Sequence, residues 1–266
     1  MKTVTYILFC LFLSVITIAQ EKLQNYTDIN GMKQGYWEKN DAEGNIVYKG
    51  YFSDNMPIGT FLRYHKNGVI KAEMIYDSVD QKKASVVLYD DAGAIAAKGE
   101  YYNKLKNNVW VYYSAENKPV VEEQYVNGKL HGIAKKFYPS GKIVESKSFN
   151  NGLLHGDWFW YYEDGTVRMK TTNNADKRSG AFFIYYPGGK PKIKGNYEED
   201  YKHGKWTFYD EKGKVEREIN YKKDIADNQA ELDEKMSKEL KEMDAKNGQI
   251  PDPQNFTDSP ESFFNK

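Results

Sequence analysis

Cysteine is almost missing from this chain of 266 residues. The single one, Cys10, lies inside an apolar amino-terminal run rather than at its end, where a lipid anchor would need it. Once that run is removed, disulfides, thiol catalysis and cysteine metal sites are excluded together. Net charge is missing too. Lys and Arg number 38, as do Asp and Glu, and removing Lys2 leaves 37 basic side chains against 38 acidic, a formal charge of −1. Nucleic acid calls for a clearly basic surface, so it is not an expected partner. After the first twenty residues no stretch is long and apolar enough to span a bilayer.

Chemical motifs are also wanting. There is no serine elbow, phosphate loop or zinc-protease helix. The turn carboxylates Asp90, Asp91, Asp164 and Asp210 do not form the alternating acidic loop that calcium takes. A converging pair of carboxylates distant in sequence is the enzymatic chemistry left open. The expectation is a chain with no catalytic, cofactor or metal site.

What is present is aromatic. Hydrophobic residues make up only 40% of the chain, yet aromatics reach 15%, with 22 tyrosines. That balance suits a thin structure whose apolar burial comes from rings. The amino terminus reads as a signal peptide over residues 1–19: Lys2, an apolar run from Val4 to Ile18, and the small-x-small end Thr17-Ile18-Ala19 before Gln20. An uncleaved anchor is the alternative. The expectation is export, to the periplasm or the outer surface.

Residues 20–224 repeat. One marker series is Gly35, Gly59, Ala84, Asn108, Gly132, Gly156, Gly180 and Gly204; a second, nine residues later, is Gly44, Gly68, Gly93, Asn117, Gly141, Gly165, Gly189 and Gly213. Every step is 24 residues except one of 25, between the second and third units. Two glycine series in one register define eight units. Strand-forming residues keep the same beat, such as Trp37, Phe61, Val86, Trp110, Trp158, Phe182 and Trp206 two places after the first marker. Each unit therefore reads as a β-hairpin, with tight turns at Asp164-Gly165 inside a unit and at Asn127-Gly128 and Asn151-Gly152 between units. Asn108 and Asn117 should keep the left-handed geometry, whereas Ala84, beside the inserted residue, should sit in a distorted turn. Pro119 and Pro191 either start their strands or shorten them. The fold class expected is all-β: an elongated antiparallel meander of tandem hairpins with a short C-terminal helix.

Segments such as Tyr125-Val126-Asn127-Gly128-Lys129-Leu130-His131-Gly132, Phe149-Asn150-Asn151-Gly152-Leu153-Leu154-His155-Gly156 and Tyr201-Lys202-His203-Gly204-Lys205-Trp206 resemble MORN repeats, in particular a bacterial, antitoxin-like variant of about 24 residues. The resemblance spans residues 31–221 and is weakest in the third unit. It implies a β-sheet scaffold that mediates protein association, with lipid association proposed for some members, and no catalytic residues. A protein partner is therefore the leading expectation. A glycan or lipid of the envelope is an alternative, and an antitoxin-like inhibitor is another that sits uneasily with a signal peptide.

Among candidate sites, His131, His155 and His203 each precede a marker glycine. Equivalent residues in successive hairpins stand about 9.6 Å apart, too far to share a zinc ion, so they read as solvated turn residues. The periodic rings are mainly packing, with a candidate binding strip at Trp110, Tyr113, Trp158, Tyr161, Phe182, Tyr185, Trp206 and Tyr209. Residues 225–247 favour a helix, with Leu232, Met236, Leu240 and Met243 drawing one narrow stripe. The preferred reading is a cap on the last hairpin, the other a helical association seam. Residues 248–266, with Pro251, Pro253 and Pro260, read as a disordered tail.

Overall fold

The computed structural model describes residues 24–246. The proposed signal peptide and tail lie outside the described residues. The described residues form two compact units, divided between Lys104 and Leu105. The first contains β1 (Tyr26–Thr27), β2 (Lys33–Asn40), β3 (Ile46–Ser53), β4 (Met56–Tyr64), β5 (Ile70–Tyr76), β6 (Lys83–Tyr89) and β7 (Ile95–Tyr102). The second contains β8 (Leu105–Tyr113), β9 (Pro119–Val126), β10 (Lys129–Leu130), β11 (Gly132–Phe137), β12 (Ile143–Asn150), β13 (Leu153–Tyr161) and β14 (Val167–Asn174). It continues through β15 (Lys177–Tyr185), β16 (Pro191–Glu198), β17 (Tyr201–Tyr209), β18 (Val215–Lys222), β19 (Ile225–Ala226) and the helix α1 (Gln229–Lys246). Within each unit the ladders join successive strands antiparallel. The fold is all-β, a meander of tandem hairpins followed by one helix. Pro119 and Pro191 both begin their strands, where a missing N–H costs no ladder bond.

The two glycine series mark different turns of the backbone. In the second, each glycine closes a three-residue connection. Gly165 N–H donates to the Tyr162 carbonyl at 2.9 Å, and Tyr162 N–H to the Thr166 carbonyl at 2.8 Å. This is a type I turn followed by a left-handed residue, with Gly165 at φ +92 and Asn117, in the fourth unit, at φ +58. In the first series the glycine sits in a bulge. Between the pairs Phe149↔Leu154 and Lys147↔Trp158, β13 carries two more residues than β12, with Gly156 at φ +97 among them. Asn108 keeps the left-handed conformation at φ +58, as its chemistry allows. Ala84 does not sit in the distorted turn expected of it but in a regular stretch of β6. The β5–β6 ladder runs without a shift from Ala72↔Leu88 to Tyr76↔Ala84, the bulge is gone, and a longer connection over residues 77–82 takes its place.

Apart from residues 77–82, the connections between repeats include two-residue turns with positive φ at both positions, the type I′ geometry that matches strand twist. Asn151-Gly152 has it, and so do Ala175-Asp176, Glu199-Asp200 and Lys223-Asp224, none of which contains glycine. An aspartate in the second place compensates. Asp200 N–H donates to the Arg178 carbonyl, while its carboxylate accepts from Arg178 N–H, each at 2.9 Å. Asp176 repeats this with Leu154, and Asp224 with Lys202. Each such turn is therefore tied to a residue one repeat earlier.

The helix departs from expectation. Residues 225–226 form a strand on the edge of β18 rather than the start of the helix, with Tyr221↔Ala226 and Lys222↔Ile225 paired. The helix begins at Gln229, and Met236, Leu240 and Met243 stand 57%, 51% and 59% exposed. Its apolar stripe does not cover the last hairpin, so the expected cap is replaced by β19. Among the described residues no helix is long and apolar enough to cross a membrane.

Candidate interaction faces

Side chains alternate across a strand, so residues three apart point to opposite sides. The eight rings of the candidate strip accordingly divide. Trp110, Trp158, Phe182 and Trp206 lie on one side of their strands and Tyr113, Tyr161, Tyr185 and Tyr209 on the other. The first four are mostly core. Trp110 is fully buried, and Trp206 and Phe182 are also buried. Phe182, Tyr197 and Trp206 form a cluster with Met169, Ile184 and Ile193 packed against it. A single exposed strip of all eight is therefore ruled out by the pleat of the sheet.

Bare backbone makes this packing possible. Phe182 pairs with Gly195 across β15 and β16, and a Cβ on Gly195 would overlap the Trp206 indole. The two rings meet above it with centroids 5.4 Å apart. Gly50 stands in the same relation to Trp37, its ladder partner, and to Phe61, whose ring a Cβ would strike. In the fourth repeat a basic side chain lies against the rings of the same side. Lys106 lies 4.7, 5.1 and 5.0 Å from the ring centres of Trp110, Tyr112 and Tyr125, and donates to the Tyr112 hydroxyl. Burial pushes the Tyr112 phenol well above its ordinary range, against the pull of that lysine.

One acidic group stands among the rings of this side. Glu145, buried, accepts from Trp158 Nε1 at 2.9 Å and Trp160 Nε1 at 2.6 Å. It pairs with Lys147 at 2.9 Å and Lys136 at 3.1 Å. Burial pushes its carboxyl up, but the donors Lys147, Trp160 and Lys136 outweigh it and hold the group below the usual glutamate value. Trp160 remains 38% exposed, with the Arg168 guanidinium 5.8 Å from its ring centre.

The opposite side is more open. Phe159 and Tyr161 stack at 5.9 Å between ring centres, and Phe183 and Tyr185 repeat the pair at 6.0 Å. All four are half-buried. Lys170 lies over Phe159 at 5.1 Å and Lys194 over Phe183 at 6.0 Å, each from the directly paired strand position. The surface is thus a two-ring, one-lysine motif presented twice, one repeat apart. Sequence reasoning found Tyr161 and Tyr185 but missed Phe159 and Phe183; the signal was an aromatic two places earlier in the strand. Among the described residues no three His, Cys, Asp or Glu side chains gather into a metal-holding group.

Five segments, residues 57–78, 130–151, 154–172, 178–199 and 202–223, match the family model described as a MORN repeat variant. The search of curated proteins returned no match. Among solved structures, the chain aligns with TarM at 10% identity and a TM-score of 0.27, over 45% of this chain and 22% of that one. It aligns with a GtfA/B complex bound to UDP and GlcNAc at 14% identity and 0.18, over 52% and 22%. A third alignment is with the Photorhabdus luminescens Tc holotoxin pore at 10% identity and 0.20, over 74% and 12%. The chain thus spans about a fifth or less of each of those chains, and at such scores the likenesses carry no argument.

Proposed function

We propose that this chain, a repeat scaffold whose tandem hairpins include five of the MORN variant, is a non-enzymatic exported protein that binds another protein at the periplasm or cell surface. The observation that carries the reading is the repeated pair Phe159/Tyr161 and Phe183/Tyr185, half-buried rings under Lys170 and Lys194. Aromatic rings are enriched at protein interfaces, and tyrosine is among the residues that carry most of the binding energy there. Their recurrence at the repeat spacing lets one partner engage several units at once. Export is supported by the apolar run from Val4 to Ile18 and the Thr17-Ile18-Ala19 end.

A photo-reactive phenylalanine analogue placed at position 161 or 185 of the full chain tests the binding. The expected result is a discrete protein adduct that Lys170→Glu with Lys194→Glu abolishes. Adducts indifferent to the two lysines would sink the reading. Mass measurement of the exported chain should find Gln20 as its first residue. A second reading, an envelope glycan binder, is favoured by the exposed face of Trp160 between Arg168 and Glu145; retention on a glycan array lost in Trp160→Ala would favour it instead.

A further inference from the structure

The third repeat is undersized on its ring side. Val86 stands where other repeats place Trp110, Phe182 or Trp206, and Ala72 and Ala97 stand where Tyr48, Met169 and Ile193 stand elsewhere. The missing volume leaves a hollow of about 920 Å³ in the first unit. It is lined by the small or aliphatic Ala72, Ala84, Val86 and Leu88 and by the rings of Tyr48, Phe61, Tyr76 and Tyr101. Four cations, Arg63, Lys71, Lys82 and Lys104, line it together with the amides Asn55, Gln81 and Asn103, and no carboxylate does. None of the four cations is in an ion pair with another described residue. In a chain of zero net charge, an apolar hollow lined by four cations and no acid is a local asymmetry that selects its occupant by sign.

We propose that this hollow receives a bulky apolar side chain from an acidic, extended segment of a partner protein. The inference rests on the protein-binding reading above and adds a second, separate contact to it. The apolar anchor takes the volume that a repeat ring fills elsewhere. The flanking carboxylates meet Arg63, Lys71, Lys82 and Lys104, and the rim amides pair with the extended backbone.

The test is fluorescence anisotropy with the full chain and a short fluorescein-labelled peptide that carries a central phenylalanine flanked by glutamates. Binding is expected, weakened about tenfold when alanine replaces the phenylalanine and lost when lysines replace the glutamates. Val86→Trp should abolish binding by filling the hollow. It should leave the fold intact, because its ladder partner is Gly99, the arrangement that already carries Trp37 over Gly50 and Phe182 over Gly195. Lys82→Glu with Lys104→Glu, a surface change, should weaken binding at least as much. The inference is overturned if Val86→Trp binds the peptide like the parent, if the lysine peptide binds as well as the glutamate one, or if only laurate, and no peptide, displaces a dye from the hollow. Any of these with the adducts at 161 and 185 intact would remove this contact and leave the broader reading standing.

Discussion

The Tyr162 hydroxyl donates a hydrogen bond to the backbone carbonyl of Tyr185 at 2.7 Å. Tyr138 makes the same bond to Tyr161 at 2.9 Å, and Tyr186 to Tyr209 at 3.0 Å. In the first unit, His65 Nε2 lies 3.0 Å from the Tyr89 carbonyl. Each of these side chains leaves the first position of a hairpin turn and reaches the end of a strand in the following repeat. With the aspartates of the type I′ turns at the other end of the hairpins, repeats are tied at both edges as well as through the ladder.

Tyr162→Phe should therefore lower stability by about 1 kcal/mol, the worth of one part-buried hydrogen bond. Denaturant unfolding gives the magnitude. Hydrogen exchange resolved by repeat should place the loss around residues 162 and 185; a loss spread evenly over the chain would contradict the tie.

The first glycine series is a conformational requirement. Gly204 has φ +68 and open space where a Cβ would stand, so only backbone strain opposes a side chain there. Gly204→Ala should cost about 1 kcal/mol, and Gly204→Asn less, since asparagine tolerates the left-handed region and Asn108 and Asn117 both stand at φ +58. Equal losses in thermal unfolding would show that the series answers to something other than φ.

Ala175 offers the converse. It carries a Cβ at φ +47, and Ala175→Gly should raise stability by about 0.5 to 1 kcal/mol as strain relief exceeds the added freedom of the unfolded chain. A destabilised variant in the same denaturant assay would refute this.

Glu145 gives a signed pH dependence. Its folded pKa lies below the ordinary 4.5, so the charged form favours folding. That contribution is present above pH 4.5 and is lost as pH falls through the folded value. Tryptophan emission from Trp158 and Trp160 should change over the same acid range, and Glu145→Gln should remove both the emission change and this part of the slope. An acid limb unaltered by the substitution would be inconsistent with the pairing.

The period, the hairpins and the special status of Ala84 could be read from the amino-acid order because glycine and asparagine are scarce answers to a positive φ. Three turns could not. Ala175-Asp176, Glu199-Asp200 and Lys223-Asp224 take the same conformation with no glycine or asparagine, since paired strands on both sides fix the turn and an aspartate, which tolerates a positive φ, ties it to the repeat before. The binding strip was legible only in its spacing. Which side each ring faces follows from strand parity, but how deeply Trp110 or Trp206 is buried depends on the rings of neighbouring strands. The helix stripe was visible, yet its exposure turned on whether any surface lay opposite it, and periodicity does not report that.

The bare backbone beneath the rings carries a consequence for how such an array can change. Gly195 is free of a side chain because Phe182 and Trp206 occupy the volume above it. A larger residue at 195 is tolerated only after a ring has shrunk, and a shrunken ring leaves a void until 195 grows. Either single step passes through a less stable protein. Sequence drift at these three positions is therefore locked into covariation, while copying a repeat whole carries ring and gap together and meets no such barrier. At Val86, opposite the small Gly99, neither a ring nor a larger partner fills the volume, and the hollow is the void that such a single step leaves.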